Sequence, residues 1–241
     1  MQGKVIKFKT IDSTHKFAVR LIEKGKATEC SIIAEKQTDG IGRCGRAWES
    51  PRGNLFASII KKSSSNSELT KLSLMIACAV HEAISHYIPD NLYLHWPNDI
   101  YYKKSKVAGM LTTVIDCWLV ISAGVNVNSA PEVANAASIK DVCGGVAVPP
   151  DEVLEKILVA LDKWFDNFNV LGFLYIKNYW LRYINEIDCK ITIRNGLDSL
   201  TGVFRGIDDS GRLILEMDGR RLFISSGDMF SNMEGMVTYH E

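Results

Sequence analysis

Four strand-like segments follow one another at 92–96, 100–102, 106–115 and 118–127, with only tight turns between them. Parallel neighbours need a crossover of a dozen residues or more, so connections this short join antiparallel strands. Upstream, residues 4–9, 31–36 and 54–60 also read as strands. The first two are separated by a helix carrying Phe17, Ala18, Leu21 and Ile22, which Asp12 or Ser13 can cap and Gly25 can end. A longer helix spans about 68–88, with Ser65 and Glu68 at capping-box spacing and Pro89 as its stop. Residues 129–150 read as irregular loop. Two helices follow, one from Asp151 and one over about 172–184, and the aromatic residues of the first are core. The expected class is α+β, a mixed/antiparallel sheet flanked by helices.

Beyond Cys189 the pattern changes to short strands with turns at Asn195-Gly196, Asp208–Gly211 and Asp218-Gly219, as in a small β-barrel. The expected division is 1–186 and 187–241. The 241 residues suffice for these two units, and 46% hydrophobic residues can supply their core. Basic and acidic residues balance at 28 each, without the excess of a non-specific nucleic-acid binder. Lys61-Lys62, Lys103-Lys104 and Arg220-Arg221 read as solvated turns or edges. No apolar run reaches membrane-spanning length, and the charged, alternating N-terminus is not a signal peptide. The six cysteines form no Cys-x-x-Cys pair, which points to reduced thiols in a cytoplasmic protein.

Three segments carry chemistry. In the first, Gln37 to Trp48, Gly40, Gly42 and Gly45 satisfy G-x-G-x-x-G. A dinucleotide site needs a helix directly after those glycines, and here Pro51, Gly53 and a strand follow. The alternative is a mobile loop presenting Arg43 and Arg46 to phosphate or carboxylate oxygens; a plain solvated loop fits the segment alone equally well. The second is His95-Trp96-Pro97-Asn98-Asp99 followed by Lys106 and Gly109. It is turn chemistry by itself, yet it also brings an amide, a carboxylate and an ammonium to one sheet end, a set suited to magnesium and phosphate. The third, Gly124-Val-Asn126-Val-Asn128, ends an apolar strand in a turn or a polar ligand contact. His81 and His86 lie five apart on a helix, about 140° around its axis, and do not share a face as zinc ligands would. Cys44, near two arginines, is a small tolerated loop residue more readily than an activated thiol. His240 belongs to the chain's tail.

Taken in order, these segments resemble the biotin protein ligases from Asp12 to about Phe230. Asp12-Ser13-Thr14-His15 resembles the family's Asp-Ser-Thr-Asn, and residues 37–48 its Gln-x-x-Gly-Arg-Gly-Arg-x-Gly-Arg-x-Trp. Trp48–Asn54, His95–Asp99, Lys106-x-x-Gly109, Gly206–Asp208 and Ser226–Asp228 continue the likeness. The resemblance implies a class II synthetase-like catalytic domain and an SH3-like C-terminal barrel. It implies a monofunctional ligase that joins biotin to ATP, giving biotinyl-5′-AMP and pyrophosphate. Biotin then passes to a lysine of a biotin carboxyl carrier protein of the acetyl-CoA-carboxylase type, with Mg²⁺ accompanying ATP.

By the same resemblance, Ser13 and Thr14 hold the ureido ring beside His15, and Gln37 contacts biotin. Gly42 and Arg43 line the carboxylate and adenylate phosphate, Arg46 and Trp48 help the loop close, and Lys106 sits on the reacting groups near Gly109. Asn98 and Asp99 lie by the triphosphate and magnesium with His95, and Asn126 by the adenosine. Arg43 and Lys106 are the expected catalytic residues. Ile41 replaces an arginine and His95 a lysine, which predicts less positive charge around the phosphates. Only eleven residues precede Asp12, so no N-terminal helix-turn-helix and no sequence-specific DNA binding are expected; a homodimer is compatible with the family. Lipoate ligation, or biotin binding without catalysis, are the competing readings.

Overall fold

The computed structural model describes residues 4–63, 68–132 and 135–231. The chain runs β1 (Lys4–Phe8), α1 (Thr14–Glu23), β2 (Cys30–Ala34), β3 (Leu55–Lys62), α2 (Leu69–Ser85), β4 (Leu92–His95), β5 (Asp99–Tyr102), β6 (Ser105–Ile115) and β7 (Trp118–Val125). Then come α3 (Ile139–Val142), α4 (Pro150–Leu171), α5 (Phe173–Tyr183), β8 (Lys190–Asn195), β9 (Asp198–Ile207), β10 (Leu213–Met217), β11 (Arg220–Ile224) and β12 (Asp228–Ser231).

The first seven strands form one sheet in the order β1-β2-β3-β7-β6-β5-β4. Only β1 and β2, joined through α1, are parallel; every other pair is antiparallel. Helix α2 carries the chain from β3 to the far edge, and the meander β4–β7 returns to set β7 against β3. The mixed sheet expected from the short turns therefore forms, and its centre joins segments far apart in sequence.

Central strands are apolar on both faces because both faces are covered. Ile33, Leu55, Ala57, Ile59, Leu119, Ile121 and Ala123 join the large core with α2 and α4. The alternating residues Ile32, Ile60 and Val120 pack with Ala18 and Ile22 of α1. Helix α1 covers only part of its face. Beyond it, the same face carries Ser58, Ser122, Gly124, Gly109 and Asp99, paired across the strands.

Ser13 caps α1 as expected, and Asp12 instead grips Arg20 at 2.5 and 3.0 Å. The expected Ser65 cap lies outside the described residues; α2 starts after Glu68, which makes no side-chain cap. It ends at Ser85, a turn before Pro89. The segment read as irregular loop contains α3, closed by a Ser138–Asp141 capping box; the Ser-x-x-Asp spacing signals it.

The last five strands form an antiparallel sheet in the order β11-β10-β9-β8-β12, with β11 and β12 unpaired to each other among the described residues. The expected barrel is thus open at that seam. Its inner residues Ile191, Ile193, Phe204, Leu213 and Leu215 belong to the large core, reached through Trp180 of α5, whose ring meets Phe204 edge-on at 6.4 Å. The hydrophobic core is continuous from the main sheet into the C-terminal one.

Candidate active site

The uncovered part of the sheet face forms the floor of a cavity of about 1560 Å³, and all fifteen residues singled out in the sequence line it. Gly109 of β6 and Gly124 of β7 are direct partners. The indole of Trp48 lies on them: a Cβ on Gly124 would stand 2.5 Å from Trp48 Cε2, and one on Gly109 2.9 Å from Cζ3. Only glycine admits a ring that close. Lys106 reaches over the indole, its Nζ 5.2 Å from the ring centroid and 2.6 Å from Asp99 Oδ2.

The glycine–arginine loop folds back on itself. Ile41 pairs with Ala47, Gly42 N donates to Arg46 O at 2.7 Å, and Trp48 N donates to Gly40 O at 2.9 Å. Its tip is a single 3-10 turn, Arg43–Gly45, with exposed Cys44 left-handed at φ 54°. The next element is β3, not a helix, so the dinucleotide reading fails for want of a helix N-terminus. Arg43 donates to Asn98 Oδ1 at 3.1 Å and to Gly227 O at 3.2 Å. Arg46 pairs with Asp228 at 2.6 Å. The C-terminal sheet thereby holds the loop over the cavity.

At the other end, Gln37 Oε1 accepts from Thr14 N at 2.8 Å and from Thr14 Oγ1 at 3.1 Å. Thr14 Oγ1 accepts from Ser58, which is 2.7 Å from Ser122, and Ser122 is 2.9 Å from His15 Nδ1. Burial holds the His15 imidazole down at about 4.

Asn98 donates through Nδ2 to Met110 O, and Asn126 donates to Lys106 O at 3.2 Å. These amides stiffen the turns that carry Asp99 and Lys106. His95 lies in the cavity wall, but both ring nitrogens are engaged, Nδ1 by Glu186 at 3.0 Å and Nε2 by Met229 O at 2.9 Å. Two oxygen acceptors require two N–H donors, the protonated ring. Burial alone would lower its pKa, but the Glu186 hydrogen bond and charge, helped by Asp99 and the Met229 carbonyl, raise it above the ordinary value. These contacts favour the protonated ring, and the adjacent Glu186 carboxylate offsets its charge.

Sequence reading missed several partners. Ser58 and Ser122 interrupt otherwise apolar strands; buried hydroxyls need partners, so lone serines in LFASII and WLVISAGV were the available signal. Asn54 accepts from Val127 N, Asn128 N and Ser129 N at 2.9–3.1 Å and shapes the turn after β7. Gly227 and Asp228 were noted only as a C-terminal signature, and Glu186 had no local signal. His81 is a core residue whose Nε2 donates to Leu92 O at 3.1 Å and whose Nδ1 lies 2.9 Å from the Tyr179 hydroxyl, while His86 turns back to Glu82 O.

Residues 7–128 match the model of the biotin/lipoate A/B protein ligase family, and residues 189–231 that of the biotin protein ligase C terminal domain. The chain is 30% identical over 233 residues to the biotin–[acetyl-CoA-carboxylase] ligase of Paracoccus denitrificans, covering 91% of this chain and 97% of that one. It is 31% identical over 208 residues to the enzyme of the same name from Mycobacterium tuberculosis, covering 82% and 77%. The biotin protein ligase of Aquifex aeolicus, solved with biotin and ATP, superposes with a TM-score of 0.83 at 26% identity, over 95% of this chain and 98% of that one. With its glycine-floored cavity, its arginine loop and its C-terminal sheet, the chain belongs to the biotin/lipoate A/B protein ligase family.

Proposed function

We propose that the protein activates biotin with ATP to biotinyl-5′-AMP and transfers the biotinyl group to a lysine of a biotin carboxyl carrier protein. The observation that carries this is the division of one cavity into two chemistries. One end is a neutral hydrogen-bonding cradle, Thr14 and Gln37; the other gathers Arg43, Arg46 and Lys106. That arrangement suits a polar neutral ring joined to an anion. Relatives named biotin–[acetyl-CoA-carboxylase] ligases and a neighbour solved with biotin and ATP support the substrates.

Two anions must meet when a carboxylate attacks the α-phosphate, so catalysis is positioning plus electrostatics. Without ligand, each of these three cations has a neighbouring acceptor: Lys106 has Asp99, Arg46 has Asp228, and Arg43 has Asn98 and Gly227 O. Entering phosphates exchange these partners for their own oxygens. The site therefore holds its cations in place without leaving buried charge unpaired. Arg43 and Lys106 are the catalytic residues of this reading, touching the carboxylate and phosphate. The other residues named above keep the places that the resemblance assigns them.

Asp99 and Asn98 offer oxygen donors beside Lys106, and the described residues contain no cluster of three or more His, Cys, Asp or Glu side chains. That set fits magnesium held mainly by nucleotide and water. Magnesium supplies neutralisation of the triphosphate. The closed loop shields the mixed anhydride from water. The acceptor lysine attacks as the neutral amine and displaces AMP. We divide the chain at 186/187 into catalytic and C-terminal parts. No described helix is long and apolar enough to cross a membrane.

The test offers biotin or lipoate with ATP, Mg²⁺ and a carboxyl carrier domain. Biotin-dependent pyrophosphate release and label on the carrier are expected. Release with lipoate alone refutes the assignment, and biotin binding without transfer makes the protein a binder.

A further inference from the structure

The buried hydroxyls beneath the cavity can point in only one direction. Gln37 Oε1 has no proton, so Thr14 Oγ1 donates to it at 3.1 Å. At the amide's other end, Ser50 gives its proton to Trp48 O at 3.0 Å and therefore accepts from Gln37 Nε2 at 3.0 Å, which fixes the amide's orientation. Thr14, its proton committed, accepts from Ser58 at 2.9 Å. Ser58 then has none left for Ser122, so across their 2.7 Å contact Ser122 donates. Ser122 in turn must accept across the 2.9 Å contact with His15, so Nδ1 carries the proton and Nε2 faces Thr113 Oγ1 at 3.4 Å as an acceptor.

We propose that His15 is a positioning residue for substrate recognition: as an Nδ1–H donor it closes the far end of the Ser122–Ser58–Thr14–Gln37 chain, holding the proton order that begins at Gln37 and with it the hydrogen-bonding groups the cradle shows its ligand. With the chain so ordered, Thr14 Oγ1 keeps one acceptor lone pair and Gln37 Nε2 one free N–H. An acceptor beside a donor complements the N–H and C=O of a cyclic urea and mismatches the reverse pattern. This rests on the biotin reading above. Ser58 is fully buried, so no bulk water competes to reorient it, while Ser122 lines the cavity floor. The low pKa of His15 keeps the ring neutral, with one N–H, at neutral pH. Protonation would add an Nε2–H toward Thr113 and leave the Nδ1 donor in place, so the chain's direction is not a pH switch.

Nitrogen-15 NMR of the intact protein at pH 7 distinguishes the two neutral tautomers and needs no turnover; the expected result is Nδ1–H for His15. In His15→Phe the KM for biotin should rise about tenfold, the worth of roughly one hydrogen bond, with kcat and the KM for ATP little changed. His15→Asn places an amide N–H close to where Nδ1 stood and should recover most of the loss. If His15→Phe does not fold, Ser122→Ala cuts the same chain one link on and should raise the biotin KM alike. An Nε2–H tautomer, a wild-type biotin KM in both cut variants, or an asparagine variant as damaged as the phenylalanine one overturns the proposal. Wild-type protein that releases no pyrophosphate with biotin sinks the parent reading alone, and the tautomer still decides the direction of the chain.

Discussion

Gly124→Ala isolates the contact that seats the loop. The added methyl would stand 2.5, 2.6 and 2.7 Å from three atoms of the Trp48 indole. Ordinary contact begins near 3.4 Å, so the ring must retreat by about 1 Å. The indole is rigid and β7 is central in the sheet, between β3 and β6, so the loop gives way rather than the strand. Overpacking of this kind costs roughly 1–3 kcal/mol. Most of that is relieved by lifting Trp48, which leaves the melting temperature lower by about 2–4 °C for a chain of this size. Activity suffers more, because a misplacement of about 1 Å at a reacting centre can cost about a hundredfold. The assay is biotin-dependent pyrophosphate release at saturating Mg-ATP, beside a thermal melt. A double-mutant cycle sharpens it: in a Trp48→Ala background the three nearest atoms are gone, and the stability cost of Gly124→Ala should largely vanish. Full activity with an unchanged melt, or a cost that persists without the indole, refutes the seating of Trp48 on the glycine pair.

Other substitutions test the remaining contacts. Arg43→Ala should lower adenylate formation by about a hundredfold, as loss of one charge-stabilising donor does, while stability shifts by well under about 1 kcal/mol; matched losses of stability and activity would count against a chemical role. Asp228→Asn removes the partner of Arg46, a half-exposed pair worth at most about 1 kcal/mol, so tryptic cleavage within the unliganded loop should speed up about two- to fivefold; an unchanged cleavage rate would deny Asp228 its hold on the loop. His15 and His81 are both held by burial at about 4, against about 6.5 when unfolded. Between those values the unfolded chain binds more protons, so stability falls on acidification by up to about 1.4 kcal/mol per pH unit for each ring. His95, raised by Glu186 despite its burial, has the opposite sign: its contribution is complete below the unfolded value and is lost as pH rises through its folded one. Urea midpoints from pH 4 to 8 should show a steep acid limb, and a flat profile between pH 6.5 and 4 would mean the two buried rings are not neutral.

What could be read in the chain itself is what local physics decides. Tight turns dictate antiparallel pairing, so the β4–β7 meander was legible. A cap, an apolar stripe and a glycine delimit α1, and the order of Gln37–Trp48, His95–Asp99 and Lys106–Gly109 identified the residues that line one cavity. The pairing of β3 with β7 required the whole sheet, since residues 63–117 lie between them. So did the partners of the charged groups. Arg46 meets Asp228 across 182 residues, and Arg43 meets Gly227 across 184. His95 read only as a replaced lysine, and packing alone set Glu186 and Met229 O on its two nitrogens. Hydrogen-bond direction is likewise a tertiary property: a serine in a strand can donate or accept, and only the closed chain from Gln37 to His15 leaves each proton one place to go. Turn length, periodicity and capping act over a few residues and are written in order along the chain. Charge pairing and proton direction depend on distances of about 3 Å between segments that only packing brings together.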